Sequence, residues 1–294
     1  MIQLNHIYFG YKQTALFSDL HDDIPMGRIY GLLGKNGVGK TTLLKLMTGL
    51  RFAQAGQCLV LDKDSSLRPV DMLKEIYFLP EEFGLPDISV GQYQRMYAPF
   101  YPKFDSESFH NYLQRFELDA NKKLNAYSFG QKKKFLLAFG LAANTRIMLL
   151  DEPTNGLDIP SKSQFRQVLA SDFTTDRLII ISTHQARDLE RIIDAVIILN
   201  AGAILFHELL VDVSEHLRIN FQSTSPDKQA ALHVENVPGG YNVVTAARQD
   251  DEQSMDLEIL FNTVVSNPEK IKSIFNQNNA SNSVTGAGHG GAIK

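Results

Sequence analysis

The sequence predicts an α/β fold with a mostly parallel sheet, and two observations carry that prediction. Within the first 211 residues, short apolar runs typical of buried strands alternate with segments of helical spacing. A glycine-rich loop at residues 34–41 lies between one such run and a helical segment. The carboxyl ends of parallel strands meet at one edge of a sheet, so we expect a ligand site at that edge.

The glycine-rich loop reads Gly-Lys-Asn-Gly-Val-Gly-Lys-Thr, the GxxxxGKT pattern of phosphate-binding loops. Glycines allow backbone N–H groups to turn toward phosphate oxygens, and the helix that follows adds its positive N-terminal end. Lys40 would supply a mobile charge for the β- and γ-phosphates, and the Thr41 hydroxyl can reach Mg²⁺. We therefore expect the chain to bind a nucleoside triphosphate.

The remaining pattern of the first 211 residues supports one large domain. Further strands are predicted at residues 2–4, 7–9, 59–61, 76–79, 146–150, 178–182 and 196–199, and helices at residues 161–169 and 186–193. Residues 86–140 have helical spacing and few β-branched runs, which predicts a helical insert. Asp151-Glu152 and His184 follow predicted strands, so the fold would bring them to the phosphate loop.

From about residue 212 the pattern changes. Strands are predicted at residues 217–221, 241–245 and 255–261, followed by a helix with Asn267 as N-cap and Pro268 in its first turn. We interpret residues 212–276 as a small α+β appendage. Residues 277–294, rich in Asn, Ser and Gly, are predicted to be a disordered tail.

Composition restricts the class of protein. The net charge of −4 and a pI near 6.1 argue against a broad nucleic-acid interface. The single cysteine, Cys58, cannot form an internal disulfide, favours a reducing compartment and is expected to be a small buried residue. No apolar run approaches the roughly 18 residues that span a bilayer, and no secretion signal opens the chain. We expect a soluble, cytoplasmic protein whose membrane partner, if it has one, supplies the span.

Two adjacent carboxylates follow the predicted strand at residues 146–150. Asp151 beside a phosphate loop can hold Mg²⁺, and Glu152 can orient or deprotonate a water that attacks the γ-phosphate. The structural alternative, an aspartate that caps the next turn, is less favoured because of the upstream phosphate loop.

Other candidate residues have strong structural alternatives. Ser128-Phe129-Gly130-Gln131 opens a predicted helix as a capping box, and a capped helix N-terminus is also an anion site, so both interpretations stay open. The lysines at residues 132–134 are expected to form a solvated helix face. Taken alone, His184 would be a structural hydrogen-bonding residue and Tyr11 a core aromatic residue.

Taken together, residues 1–211 resemble the ATP-binding subunit of ABC transporters, a P-loop NTPase of ABC type. Residues 34–41 are similar to the Walker A motif, residues 147–151 to Walker B, residues 127–131 to the LSGGQ signature, and residues 155–158 to the D-loop, while Glu152, His184 and Tyr11 match the catalytic carboxylate, the switch histidine and the adenine-stacking aromatic. The motifs occur in the family's order.

The resemblance implies the full set of site residues. Lys40, Glu152 and His184 would be catalytic, and Thr41, Glu81 and Asp151 would bind Mg²⁺. Nucleotide contacts would come from Tyr11, Gly34, Lys35, Asn36, Gly37, Val38, Gly39, Lys40, Thr41, Thr42, Ser128, Gly130, Gln131 and Asp158. ATP and Mg²⁺ would be the cofactors.

The resemblance also implies partners. Two such subunits, most simply identical copies, would meet head to tail, with Ser128, Gly130 and Gln131 of one copy closing over the γ-phosphate held by Lys40 of the other. The pair would drive a separate transmembrane permease at the cytoplasmic face of the membrane, and the helical insert at residues 86–140 would contact that permease. No nucleic-acid partner is expected.

Two positions depart from the family pattern. Glu81 stands where the family usually has a glutamine, and Tyr127 and Phe129 replace the leucine and the first glycine of the signature. A carboxylate can still bind Mg²⁺, and export-type members often carry this variant. Together with the segment at residues 101–105, these features resemble drug- or antibiotic-resistance exporters.

Two alternatives remain. A soluble ABC-type ATPase acting on ribosomes or DNA is disfavoured by the single nucleotide-binding domain, the absence of sustained heptads and the acidic charge balance. A nucleotide-binding regulator without turnover is disfavoured by Glu152 and His184.

Overall fold

The computed structural model describes residues 1–227, 231–247 and 256–282. The chain divides into two compact units, Met1–Ile204 and Leu205–Lys294, so the boundary predicted after residue 211 falls inside the second unit. Within the described ranges, no helix has both the length and the apolar character needed to cross a bilayer.

Ten strands, the last of which crosses the end of the first unit, form two sheets. The strands are β1 (Ile2–Tyr11), β2 (Thr14–Ile24), β3 (Arg28–Leu33), β4 (Ala55–Val60), β5 (Lys63–Asp64), β6 (Ile76–Leu79), β7 (Ile147–Asp151), β8 (Leu178–Thr183), β9 (Ala195–Asn200) and β10 (Ala203–Leu209). The helices of this unit are α1 (Lys40–Met47), α2 (Val70–Leu73), α3 (Val90–Tyr97), α4 (Ser106–Arg115), α5 (Phe129–Ala142) and α6 (Ile159–Asp172).

The larger sheet has the strand order β10-β9-β3-β8-β7-β6. The pairs β9–β3, β3–β8, β8–β7 and β7–β6 are all parallel. Every residue of β7 and β8 is buried, which explains why these strands appear in the sequence as continuous apolar runs. The predicted α/β fold with a mostly parallel sheet is confirmed.

The smaller sheet has the order β2-β1-β4-β5, and its pairs are antiparallel. The two short strands predicted at residues 2–4 and 7–9 form one strand, β1, whose register against β2 shifts between Leu4 and Ile7. Cys58 in β4 is buried, and burial raises the pKa of its thiol to about 12. Its predicted role as a small buried residue is confirmed.

The predicted helical insert consists of α3, α4 and α5. Each helix begins at a side-chain cap: Ser89 and Ser128 form capping boxes, and Asp105 accepts from the backbone N–H groups of the first turn of α4. Aromatic rings fill the space between the helices. Phe109 lies with its ring centroid 6.0 Å from that of Phe135.

Two predicted elements are wrong. Residues 186–193 contain only a 3₁₀ turn, Ala186–Asp188. The apolar residues Leu189 and Ile193 had helical spacing, but they are buried in an irregular segment, where a Cβ added at Gly31 would lie only 2.8 Å from Ile193 Cδ1. Tertiary packing, rather than a helix, accounts for that spacing.

The strand predicted at residues 255–261 is instead the helix α8 (Leu257–Ser266); Met255 lies outside the described residues. Asp256 caps it by accepting from the N–H groups of Glu258 and Ile259 at 2.8 and 3.1 Å. A short apolar run cannot distinguish a strand from a buried helix, and the cap resolves the ambiguity.

The second unit contains α7 (Leu210–His216), β11 (Leu217–Gln222), β12 (His233–Val237), β13 (Gly240–Ala246), α8 and α9 (Pro268–Asn282). Its sheet has the strand order β11-β13-β12. The strands pair antiparallel. The helix α9 continues past residue 276 into the segment predicted to be a disordered tail, and residues 283–294 of that segment lie outside the described ranges.

Candidate nucleotide site

The phosphate loop connects β3 to α1 at the carboxyl edge of the parallel sheet. Gly37 and Gly39 have φ values of 82° and 111°, which L side chains rarely adopt. A Cβ at Gly39 would also lie 2.7 Å from Phe17 Cζ. These two glycines allow the loop to curl closely before the helix begins.

The side chain of Lys40 folds back over this loop. Its Nζ donates to the carbonyl oxygens of Gly34 and Lys35 at 2.7 and 3.3 Å and lies 3.5 Å from Glu152 Oε1. Lys40 and Glu152 are both buried. A buried ammonium in the phosphate loop therefore faces a buried carboxylate across the site.

Asp151 joins the loop to the end of β7. Thr41 Oγ1 donates to Asp151 Oδ2 at 2.7 Å, and Ser182 Oγ donates to Asp151 Oδ1 at 2.5 Å. The Thr41 hydroxyl and the Asp151 carboxylate are hard oxygen donors placed together, the chemistry that Mg²⁺ prefers. The contact of Ser182 from β8 was not anticipated from the sequence.

Glu152 is held in an uncommon backbone conformation, with φ 47°. Its N–H donates to Ser182 O at 3.0 Å. His184 Nδ1 lies 2.9 Å from Glu152 Oε1. Among the described residues, Glu152 Oε2 is buried without a hydrogen-bond partner, so one oxygen of this carboxylate can accept a proton from water.

Glu81, which follows β6, borders the same site. Its Oε1 accepts from Asn155 Nδ2 at 3.0 Å. The side chain thus connects the segment after β6 with the turn after β7. Asn155 was noted in the sequence only as part of the D-loop, and its contact with Glu81 depends on the tertiary fold.

Tyr11 lies at the end of β1 and is not a core residue, since 46% of its surface is exposed. Its hydroxyl lies 3.0 Å from Thr42 Oγ1, and this hydrogen bond lowers the pKa of Tyr11 below its ordinary value. The Tyr11 ring is therefore anchored beside the first turn of α1 with much of its surface accessible.

Lys40, Glu152 and Tyr11 are among the residues that line one cavity of about 350 Å³; Asp151 and His184 are not. Its lining consists of Tyr11, Leu16, Asn36, Gly37, Gly39, Lys40, Thr41, Thr42, Glu81 and Glu152. Nine of the ten had been singled out from the sequence, and Leu16 had not, because a lone apolar residue carries no chemical signal. Charged, hydroxyl and aromatic groups of the right kinds for a nucleoside triphosphate therefore meet in one place.

The residues of the signature stand apart from this cavity. Ser128 caps α5 reciprocally with Gln131: the N–H of Gln131 donates to Ser128 Oγ at 3.2 Å, and the N–H of Ser128 donates to Gln131 Oε1 at 3.0 Å. Asp158 caps α6 by accepting from Ser161 N at 2.9 Å, and the pKa of Asp158 is lowered by hydrogen bonds from the Ser161 side chain and then from the Ser161 N–H. Ser128, Gly130, Gln131 and Asp158 do not line the cavity.

The expectation of a solvated lysine face at residues 132–134 is wrong. Lys133 is fully buried and Lys134 nearly so. Lys133 Nζ donates to the carbonyl oxygens of Glu152 and Asn155 at 2.9 and 2.8 Å. These acceptors come from a turn about twenty residues further along the chain, which sequence spacing could not reveal.

Comparison with known proteins finds similarity to ATP-binding subunits of ABC transporters. The ABC transporter family model matches residues 17–155, a span that includes the phosphate loop, the signature and Glu152. The chain is 27% identical over 267 residues to the ABC transporter ATP-binding protein YtrB of Bacillus subtilis, covering 88% of this chain and 91% of that protein. That share exceeds the first unit, so the similarity extends into the second.

Two further comparisons agree. The chain is 26% identical over 227 residues to the lantibiotic transport ATP-binding protein SrtF of Streptococcus pyogenes, covering 76% of this chain and 96% of that protein. Its fold matches a dimeric ATP-binding cassette solved in a post-hydrolysis state with ADP and Pi, with a TM-score of 0.63, 23% identity and coverage of 71% and 99%. The resemblance drawn from the motifs is confirmed: residues 17–155 match the ABC transporter family, and the chain is similar over most of its length to an ABC transporter ATP-binding protein.

Proposed function

We propose that this chain binds ATP with Mg²⁺ in the cavity at the carboxyl edge of the parallel sheet and hydrolyses it to power a separate membrane permease. The observation that carries the proposal is the convergence of Lys40, Thr41, Glu81 and Glu152 on one cavity. A phosphate-binding loop beside a buried acid is the arrangement that phosphoryl transfer to water requires.

In this proposal Glu152 is the general base. Its Oε2 accepts a proton from the attacking water, while Oε1 is held by His184 and faces Lys40. Lys40 leaves its resting contacts with the Gly34 and Lys35 carbonyl oxygens and neutralises the β- and γ-phosphates. His184 orients the carboxylate.

The remaining contacts of the proposed site follow from the same geometry. The backbone N–H groups of residues 34–42 surround the phosphates, and the exposed face of Tyr11 stacks on the adenine. Thr41 and Asp151, which are hydrogen-bonded to each other, would hold Mg²⁺, with Glu81 as a further oxygen donor. The ion would supply charge neutralisation between the phosphates.

Two copies are proposed to act together, head to tail. Ser128, Gly130 and Gln131 lie at the N-terminus of the 14-residue helix α5 but do not line the cavity of their own chain. A second copy that presents this helix end to the γ-phosphate would complete the site, since backbone N–H groups at a helix N-terminus favour anions. Asp158 would lie at the same interface.

The permease and the direction of transport are inferred from the relatives. Both curated relatives are named as ATP-binding proteins of transport systems, and one is named for lantibiotic transport. We propose that the chain acts as a peripheral subunit at the cytoplasmic face of a membrane and drives export. The helices α3 and α4 of the insert supply the contact surface. Co-purification from membranes in detergent should recover an integral membrane protein, and its absence would contradict this part of the proposal.

The shared site can be tested by complementation between two inactive variants. Lys40→Ala removes the phosphate-binding ammonium, and Ser128→Arg blocks the helix end that would close over the partner's nucleotide. Each variant alone should be inactive. In a head-to-tail pair, a mixed dimer places the intact Lys40 of one copy opposite the intact Ser128 of the other, so mixing should restore hydrolysis.

The matched control measures each inactive variant alone, at the same total protein concentration as the mixture. About half of randomly formed pairs are mixed, and each mixed pair has one intact site out of two. The restored rate of ATP hydrolysis should therefore approach about a quarter of the parental rate. If mixing restores nothing while both variants remain folded, Lys40 and Ser128 do not act in one site shared between two chains.

A further inference from the structure

Lys133 is a buried cation that, among the described residues, has no carboxylate within ion-pair distance. Its side chain extends from α5 and is fully buried. Among the described residues, it forms no ion pair; its ammonium donates to the carbonyl oxygens of Glu152 and Asn155 at 2.9 and 2.8 Å. These two hydrogen bonds of the ammonium therefore go to main-chain carbonyl oxygens.

Such a residue is expensive to bury. Removing an ammonium from water disfavours the charged form, and burial lowers the pKa of Lys133 below its ordinary value. Two carbonyl acceptors and the face of the Phe129 ring, 5.3 Å from Nζ, offset part of that cost. An apolar side chain of similar length would fill the same space without this desolvation cost. Packing alone therefore does not explain why a charged residue is buried here.

The two carbonyl groups bracket the turn that carries the catalytic carboxylate. Glu152 has φ 47°, and the N–H of Asn155 donates to Glu152 O at 3.2 Å. A strained backbone conformation persists when surrounding contacts determine it. Lys133 bonds to both ends of this turn and so fixes its conformation, and with it the direction of the Glu152 side chain.

The same lysine belongs to the helix that begins at the signature. Ser128 caps α5, and Lys133 lies little more than one turn further along. Asn155, whose carbonyl Lys133 binds, donates from its side chain to Glu81 at 3.0 Å. Contacts between neighbouring residues therefore run from the N-terminus of α5 to Glu152 and Glu81, two residues that line the cavity.

We propose that Lys133 is a positioning residue for hydrolysis: by binding both carbonyl groups it holds Glu152 in the orientation needed to accept a proton and ties that orientation to the helix that carries the signature. This inference rests on the proposed role of Glu152 as general base. Because α5 would close over the nucleotide of a second copy, Lys133 is the contact through which that closure reaches the site of its own chain.

The test replaces Lys133 by methionine, which keeps the chain length and removes the donors. The value of kcat for ATP hydrolysis should fall about 10- to 100-fold, the usual effect of losing a group that orients a catalytic residue. The KM for ATP and the affinity of the chain for ATP should stay within about threefold, because Lys133 does not line the cavity. Lys133→Gln, which keeps a donor, should recover part of the loss.

Lys134→Met is the matched control. Lys134 is also buried on α5, but it bonds to Ser161 Oγ and Gln164 Oε1 rather than to the turn after β7. Its kcat should stay near the parental value. A Lys133→Met variant that is folded, by circular dichroism and thermal melting, and retains parental kcat would overturn the inference. If Lys133→Met does not fold, a folded Lys133→Leu variant, which also lacks a donor, with parental kcat would do the same.

A double-mutant cycle separates this inference from the proposed function. In a Glu152→Gln background, adding Lys133→Met should cause no further loss of hydrolysis, since the group that Lys133 positions no longer acts. If Lys133→Met instead lowers hydrolysis by the same factor with and without Glu152→Gln, the inference about Lys133 is overturned, but the proposed role of Glu152 is not. Parental hydrolysis by Glu152→Gln itself would overturn the proposed role of Glu152, and with it the inference.

Discussion

His184 Nδ1 lies 2.9 Å from Glu152 Oε1, although the two residues are 32 positions apart in the sequence. The contact exists because β7 and β8 are parallel neighbours that end at the same edge of the sheet. Through this contact His184 holds one oxygen of Glu152, while the other oxygen is buried without a hydrogen-bond partner among the described residues. In the proposed mechanism, Glu152 acts as the base and His184 as its orienting partner.

His184→Ala should therefore lower the rate of ATP hydrolysis by about 100-fold or more, as expected when a general base loses its orientation. ATP binding should persist, because Lys40 and the phosphate loop are unchanged. Steady-state hydrolysis and equilibrium ATP binding measure the two effects separately. His110→Ala, an exposed histidine on α4, is the control and should hydrolyse ATP normally. Loss of binding in parallel with hydrolysis would contradict the assignment.

Tyr11 is expected to contribute to ATP affinity through its ring rather than its hydroxyl. Base–aromatic stacking is worth about 1–3 kcal/mol, so Tyr11→Ala should weaken ATP binding roughly 5- to 150-fold. Tyr11→Phe keeps the ring and loses the hydrogen bond to Thr42, and it should bind within a few-fold of the parent. Isothermal titration calorimetry would measure both. Equal weakening in the two variants would show that the hydroxyl, not the ring, carries the contribution.

The sequence predicts the cavity better than it predicts the rest of the chain. Phosphate-loop chemistry requires particular residues at fixed spacing, so Lys40, Thr41 and Glu152 could be assigned before the fold was known. Helical periodicity is a weaker signal, because buried irregular segments such as the one around Leu189 show the same spacing. The apolar run beginning at Leu257 reads equally well as a strand.

The role of Lys133 lies beyond such prediction for another reason. Three successive lysines at the start of a helix normally face solvent, and only one of them is fully buried here. Its burial depends on where the turn at Glu152 and Asn155 lies relative to α5. That placement is a property of the assembled sheet and helices and leaves no local pattern.

The N-cap of α4 predicts a measurable pH dependence of stability. Asp105 accepts from Ser108 Oγ at 2.6 Å and from the N–H groups of Glu107 and Ser108, and the bonds to Ser108 hold its pKa below the ordinary value. Because the folded-state pKa is depressed, this contribution is complete above the unfolded-state pKa, about 3.9, and is lost as the pH falls through the folded-state value. The melting temperature of Asp105→Asn should lie below that of the parent at pH 7, and the gap should narrow on acidification below about pH 4. A gap that is independent of pH would show that the charge of Asp105 does not contribute.

The aromatic cluster of the helical insert should dominate the stability of that part of the first unit. Phe109 is fully buried, with ring centroids 5.6, 6.0 and 5.8 Å from those of Phe104, Phe135 and Phe139. Phe109→Ala would remove a buried ring and leave a cavity between α4 and α5, costing about 3–5 kcal/mol of unfolding free energy.

Phe100→Ala is the matched control for that substitution. The Phe100 side chain is 65% exposed, so its removal should change the unfolding free energy by no more than about 0.5 kcal/mol. Urea unfolding followed by circular dichroism would compare the two variants, with hydrogen exchange to locate the loss within α4 and α5. Since neither ring lines the cavity, ATP affinity should survive in the folded fraction of both. Equal destabilisation by the two substitutions would mean that the packing of Phe109 does not set the stability of the insert.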